Sequence, residues 1–170
     1  MDSRFYIIGI KHCGKSSVGN LLAKELNINF YDLDDIIENS VNMDVRSFYK
    51  TYGKEAFQKA ETRAIKYLEG VKHGFICATG GGICDNIESF EILKKLKNSI
   101  YINTPFDTVY SRIIKNGVPA FLKSNDPKNE FLELYKSRNY KYKSMALLEV
   151  SGDNLTPQEI TSKIVEQLRS

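Results

Sequence analysis

The 170 residues are 42% hydrophobic and 26% charged, which fits one globular domain built on a single core. Lys and Arg number 24 against 21 Asp and Glu, a formal charge of +3, too small for a protein that coats a polyanion; no apolar run approaches a membrane span. Three cysteines (Cys13, Cys77, Cys84) without C-x-x-C spacing and two histidines (His12, His73) exclude a disulfide framework, a zinc knuckle and a protein-built metal cage.

Arg4 to Ile8, β-branched and aromatic and bounded by Gly9, is predicted to be a strand. Leu21, Leu22, Leu26 and Ile28 then recur at helical spacing until a second apolar run begins at Phe30. Asp44 is suited to cap a helix with Val45, Phe48 and Tyr49 on one face; Gly53 interrupts it, and Ala56, Phe57, Ala60, Ala64 and Leu68 continue it to Gly70. Phe75 to Ala78, apolar without alternation, is predicted to be a strand covered on both faces, and it ends in Gly80-Gly81-Gly82. A helix from Ile87 to Leu96, a strand at Ile100-Tyr101-Ile102 and a helix from Pro105 to Ile114 follow. Lys115 to Asn129 is polar and carries Gly117, Pro119 and Pro127, so a mobile lid is expected there. Glu130 to Leu147 is predicted to be helix, Leu148 to Ser151 the last strand, and Thr156-Pro157 the cap and first residue of a closing helix to Leu168. Alternating strands and helices argue for a parallel sheet covered on both faces, with ligands at the carboxyl ends of the strands, where Gly9, Asp32 and Gly80 fall.

Gly9-Ile10-Lys11-His12-Cys13-Gly14-Lys15-Ser16 matches G-x-x-x-x-G-K-[ST] between a predicted strand and a predicted helix. The chemistry explains the spacing: backbone N–H groups wrap anionic phosphates, the positive end of the helix dipole faces them, Lys15 adds a full charge and Ser16 offers its hydroxyl to Mg²⁺. His12 and Cys13 have no base or third ligand in sequence reach and are expected to serve backbone shape. Asp32-Leu33-Asp34 follows the second strand, and alternation along an extended segment sends both carboxylates to the ligand side and Asp35 elsewhere. A phosphotransferase needs one carboxylate to organise Mg²⁺ and another to hold and deprotonate the accepting hydroxyl. The competing reading is an N-cap cluster for a helix starting near Ile36. The glycine triplet lets a ligand approach the backbone, or makes a tight turn into the next helix.

These residues resemble the shikimate kinase family, small P-loop kinases of the nucleoside monophosphate kinase-like group. The resemblance spans nearly the whole chain: the phosphate loop with Ser17, Val18 and Gly19; Phe30-Tyr31-Asp32-Leu33-Asp34; Gly53-Lys54-Glu55-Ala56-Phe57 with Glu61; Ala78-Thr79-Gly80-Gly81-Gly82; Arg112; Pro119; Arg138 with Tyr142 and Ala146; and Thr156-Pro157-Gln158-Glu159. It implies a three-layer α/β P-loop kinase fold, with a five-stranded parallel sheet of order 2-3-1-4-5, helices on both faces and a lid. It also implies a single domain with substrate-binding helices at about 33–70 and the lid at about 115–129. The implied reaction is transfer of the γ-phosphoryl group of ATP, with Mg²⁺, to a hydroxyl of shikimate in aromatic amino acid biosynthesis. The expected protein is a cytoplasmic monomer with no nucleic-acid or membrane partner. On matched positions, Gly9, Cys13, Gly14, Lys15, Ser16, Ser17 and Arg112 would bind ATP, Arg112 against adenine. Ser16 and Asp32 would hold Mg²⁺, while Lys15 and Asp34 would be catalytic, with Asp34 gripping the substrate hydroxyls. Asp34, Gln58, Gly80, Gly81, Gly82 and Arg138 would line the acceptor, with Arg138 on its carboxylate.

Two positions depart from the family pattern. Gln58 stands where an arginine normally clamps the carboxylate, and a neutral amide cannot replace a bidentate guanidinium. Val118 precedes Pro119 where the lid normally carries an arginine. Lys11 and Lys54 are candidate replacement cations in the pocket, with Lys115 or Lys123 in the lid. The alternatives are a related kinase for another hydroxylated metabolite, or a nucleotide-binding regulatory module without turnover; Asp34 weighs against the latter, since a pure binder needs no acceptor base. Tyr135 to Lys143 interleaves tyrosines with basic residues and is expected to be a solvated helix with one functional residue, Arg138, and with Tyr142 packed below it rather than a nucleic-acid surface.

Overall fold

The computed structural model describes residues 3–115, 117–119 and 121–170. Five strands alternate with helices: β1 (Arg4–Ile8), α1 (Lys15–Leu26), β2 (Asn29–Asp32), α2 (Leu33–Val41), α3 (Val45–Glu69), β3 (Phe75–Ala78), a 3₁₀ turn (Ile83–Asp85), α4 (Ile87–Leu96), β4 (Ser99–Asn103), α5 (Phe106–Ile114), α6 (Pro127–Met145), β5 (Ala146–Ser151) and α7 (Pro157–Arg169). All four strand pairings are parallel and the order is β2-β3-β1-β4-β5, as the resemblance implied. Residues of the central strands, among them Ile7, Ile8, Ile76, Ile100 and Ile102, are inaccessible to solvent, which is why these segments read as continuous apolar runs. Full burial of each such side chain contributes about 1.5–3 kcal/mol of transfer free energy. Helices α1 and α7 pack on each other, with α1 also on β2 and β3, whereas α4, α5 and α6 form the other group.

The register puts the site in place. Asp32 pairs with Ala78, and Ala78 with Ile7, so β2, β3 and β1 release the chain side by side at their carboxyl ends. There the two glycine loops and the acidic segment meet.

Local chemistry sets the helix ends. Asp44 caps α3 by accepting from the Ser47 N–H, and Gly53 (φ 82°, ψ −179°) breaks that helix where the sequence predicted an interruption. Thr156 and Glu159 cap α7 reciprocally, with Pro157 in the first turn.

Three boundaries differ from expectation by two or more residues, one of them the junction of α6 and β5, where the helix ends at Met145 and the strand begins at Ala146 rather than at Leu148. Helix α2 begins at Leu33, not near Ile36, because the Asp32 carboxylate accepts from the Asp34 N–H and starts the helix immediately after β2. Helix α6 begins at Pro127, because Asp126 accepts from the Asn129 N–H and Pro127 sits in the first turn; the proline is a helix start rather than loop punctuation. The expected lid at about 115–129 therefore loses its last three residues to α6, and its positions 116 and 120 lie outside the described residues. Among the described residues no helix is long and apolar enough to cross a membrane.

Candidate active site

A cavity of about 870 Å³ opens at the carboxyl ends of β1, β2 and β3, lined by the phosphate loop, Asp32, Asp34, one face of α3, the glycine triplet and α6. Its phosphate end is mostly backbone. Gly14 (φ 96°) caps α1 without a side-chain hydrogen bond, and no acid lies in the first turn. The leading N–H groups of α1 are thus free of side-chain competitors, as an anion site requires. Lys15 is buried, and its ammonium donates to the carbonyls of Gly9 (2.8 Å) and Ile10 (2.9 Å), which holds the charge within the curl of the loop. A Cβ at Gly9 would stand 2.7 Å from the Cys13 sulfur and 2.9 Å from the Ile102 carbonyl, so only glycine fits where the loop leaves β1. Cys13 is itself buried and serves the loop from beneath rather than lining the cavity. Arg112 reaches from α5 to donate to the His12 carbonyl (3.0 Å), tying that helix to the loop. Ser16 and Ser17 line the cavity.

The acidic floor is organised by Asp32. One of its oxygens accepts from the Ser16 hydroxyl (2.9 Å) and the other from the Asp34 N–H (3.0 Å). Asp34 stands in the first turn of α2, not on an extended segment, yet both carboxylates line the cavity, because the Asp32 cap turns the helix start toward it. Asp35 is directed to a separate groove beside α2 and α3. Burial, reinforced by the Asp32 charge and partly offset by Lys15, pushes the Asp34 carboxyl up to about 6.

Glu61 of α3 is nearly inaccessible (3%) and burial pushes its carboxyl up to about 7; the Asn86 amide opposes the shift and the Asp34 charge adds to it. A Cβ at Gly80 would lie 3.6 Å from Glu61 Oε1 and 3.8 Å from Asp34 Oδ1, so the two carboxyls flank the bare backbone of Gly80.

The far wall is a side-chain network centred on Asp85. Its carboxylate accepts from Arg138 Nε (2.9 Å) and Lys141 Nζ (2.6 Å), and its carbonyl accepts from the Gln58 amide (3.3 Å). Burial alone would raise the Asp85 carboxyl, but Lys141 and Arg138 outweigh it and hold the group below the usual range. Asn86 donates to the Gln58 carbonyl (2.8 Å) and to Glu61 (3.1 Å), joining this wall to the floor. Tyr142 is fully buried and donates to the Gly81 carbonyl. A Cβ at Gly81 would stand 2.7 Å from the Lys11 backbone nitrogen, so the triplet packs backbone against backbone on the phosphate loop.

Of the residues singled out in the sequence, Lys11, Gly14, Lys15, Ser16, Ser17, Asp32, Asp34, Lys54, Gln58, Gly80, Gly81, Gly82 and Arg138 line one cavity. Gly9, Cys13 and Arg112 support it from outside. Lys11 also stands 6.0 Å from the centre of the Phe121 ring. Lys115 and Lys123 are exposed and do not line the cavity, and Val118 is exposed too. Asp85 and Asn86 are not among the residues expected at the site, and Glu61 is expected only as part of a pattern; the Tyr135–Lys143 stretch is expected to hold one functional residue, whereas α6 presents both Arg138 and Lys141 to the cavity. Helical spacing signals two of these, since Lys54, Gln58 and Glu61 share one face of α3, as Arg138 and Lys141 share one face of α6.

A family model described as shikimate kinase matches residues 11–169. The chain belongs to the shikimate kinase family. A shikimate kinase from Streptococcus thermophilus is 36% identical over 158 residues, covering 91% of this chain and 93% of the relative. Among solved structures, the shikimate kinase of Aquifex aeolicus superposes with a TM-score of 0.80 at 28% identity, covering 98% of this chain and 96% of that one. That of Acinetobacter baumannii, solved in complex with shikimate, superposes with a TM-score of 0.87 at 24% identity, covering 98% and 93%. The shikimate kinase fold thus covers nearly the whole chain.

Proposed function

We propose that this member of the shikimate kinase family transfers the γ-phosphoryl group of ATP to a hydroxyl of shikimate, with the phosphates on the loop at Gly9–Ser17 and the acceptor between Asp34, the glycine triplet and Arg138. The observation that carries the reading is the meeting, in one cavity, of a loop built for anions and a carboxyl poised to take a proton. The N–H groups at the start of α1 and the Lys15 ammonium spread the charge that accumulates on the phosphoryl oxygens, and they are oriented before the reaction begins. Asp34 holds the accepting hydroxyl and receives its proton as the oxygen attacks phosphorus; a base whose proton affinity lies near neutrality suits that task and is worth about 10²–10⁴ in rate. Arg112, fixed to the loop through His12, is assigned to the adenine side.

The donor set fits Mg²⁺. Ser16 and Asp32 already bring two oxygens together at 2.9 Å beside the loop, and Mg²⁺ is commonly held by one or two protein oxygens, substrate phosphates and water. Bound there, it would neutralise phosphate charge and align the transferring group. The protein is assigned to the cytoplasm as a single kinase domain acting as a monomer, with α2 and α3 as the substrate-binding helices and the segment after α5 as the lid.

The test is a coupled ADP-release screen of the pure protein over shikimate, quinate and gluconate with ATP and Mg²⁺. ADP release that depends on shikimate and exceeds that with the other acids supports the reading. Equal or greater turnover with another hydroxy acid would reassign the acceptor, and ADP release with none of them would remove the acceptor role.

A further inference from the structure

The cavity is electrically polarised in a way that the phosphotransfer roles do not use up. Asp32, Asp34 and Glu61 gather at the floor, where a hydroxyl is to be deprotonated. The opposite wall carries Arg138 and Lys141, both drawn to a single carboxylate, Asp85. Two cations on one anion leave a net positive charge, and Asp85 uses only the Nε of Arg138. Among the described residues neither Nη of that guanidinium has a hydrogen-bond acceptor, and Nη2 lies over Gly82, 3.4 Å from where a Cβ would stand. Gln58, also on this wall, is neutral and has its amide committed to the Asp85 carbonyl.

We infer that Lys141 is the second cation of the acceptor's carboxylate site: Asp85 holds Arg138 and Lys141 side by side, and together they supply the charge that Gln58 does not. The inference deepens the proposed function and rests on shikimate, a carboxylated acceptor, being the substrate. Three observations carry it. Lys141 lines the same cavity as the catalytic groups. Its ammonium is held 2.6 Å from Asp85, which costs one of three N–H donors and leaves two for a second carboxylate. Arg138 and Lys141 are three apart on α6, so their heads stand on one helix face, and Tyr142 fixes that face by its bond to the Gly81 carbonyl. Asp85 is thus a positioning residue. It removes the rotamer freedom of two long side chains before substrate arrives, so less of it remains to be lost on binding. Lys11, with its head over Phe121, lacks such an anchor.

The experiment measures KM for shikimate, for its neutral carboxamide analogue and for ATP in wild type, Lys141→Met and Lys141→Arg, with circular dichroism to confirm that each variant folds. For Lys141→Met the expected result is a rise in the KM for shikimate of about tenfold, equivalent to ~1.4 kcal/mol. The KM for the carboxamide and for ATP should stay within about twofold, and Lys141→Arg should restore most of the loss. Equal rises for shikimate and the carboxamide would overturn the inference, since Lys141 would then act only through the shape of the Asp85 network. No change for either would overturn it as well. A wild type that turns over neither acceptor would instead refute the choice of shikimate, and with it the carboxylate site; that outcome is read from the wild-type data alone.

Discussion

The two ends of the cavity are made by different means. The phosphate end is one continuous segment whose working parts are backbone N–H groups, one lysine and glycines with positive φ or close contacts. The acceptor end is assembled from α2, α3, the turn after β3 and α6, and almost all of its chemistry sits on side chains that hold one another: Gln58 on Asp85, Asn86 on Gln58 and Glu61, Arg138 and Lys141 on Asp85. A backbone-built site tolerates few changes of sequence, because its geometry is the fold itself. A site built from side chains can exchange partners while the fold stays fixed, and in this chain Gln58 and Lys141 occur on that side.

The sharpest way to break the phosphate end is Lys15→Ala. Its ammonium touches only loop carbonyls and, at a longer distance, the Cys13 sulfur, so the fold should persist by circular dichroism while kcat falls by at least about a thousandfold. Near wild-type turnover would contradict the assignment of Lys15 to phosphate.

Asp34→Asn breaks the acceptor end alone. We expect kcat to drop by about 10²–10⁴, with the dissociation constant for ATP, read by calorimetry, nearly unchanged. In wild type the same assignment predicts that kcat declines as pH falls through about 6, where Asp34 takes up a proton. A collapse of ATP affinity in the variant would move Asp34 to the metal side.

Gly81→Ala acts at the junction of the two ends. Its methyl group would press on the Lys11 backbone nitrogen at 2.7 Å, whereas one on Gly80 meets only side-chain oxygens at 3.6 and 3.8 Å. Gly81→Ala should therefore weaken both ATP and shikimate binding, each by roughly tenfold. Gly80→Ala should weaken shikimate binding alone, a contrast that titrations with each ligand resolve.

The last effect is on stability. Asp34 and Glu61 hold protons more tightly in the fold than in the unfolded chain, their carboxyls being raised to about 6 and about 7. The native state therefore binds more protons than the unfolded state between roughly pH 4 and 7, and stability from these groups declines as pH rises through that window. Glu61→Gln removes one of them and should raise stability at pH 8 by about 1–3 kcal/mol, with little gain at pH 4, as urea melts at the two pH values would show. A variant less stable at pH 8 than wild type would mean that the Asn86 bond outweighs the burial of charge.

The same contrast explains what could be read from the sequence. The phosphate loop, the strand order and the cap at Thr156 are local signals or follow from the family pattern, and the structure carries them. Asp34 is legible as part of a motif although it lies on a helix start instead of the extended segment expected, because the Asp32 cap delivers its carboxylate to the same place. Asp85 carried no local signal: a carboxylate in a 3₁₀ turn becomes informative only when α6 delivers two cations to it from more than fifty residues away. Pro127 is ambiguous in the sequence because proline both ends and begins helices, and the Asp126 cap decides which.

The central claim is that the two ends act on one phosphoryl group, and it is tested most directly by phosphorus NMR of a reaction of the pure protein with ATP, Mg²⁺ and shikimate. The account predicts one phosphate monoester on a shikimate hydroxyl for each ADP formed, with no inorganic phosphate in excess of a shikimate-free control. ADP appearing together with inorganic phosphate and no shikimate ester would contradict it, because the phosphate end would then be working without the acceptor end.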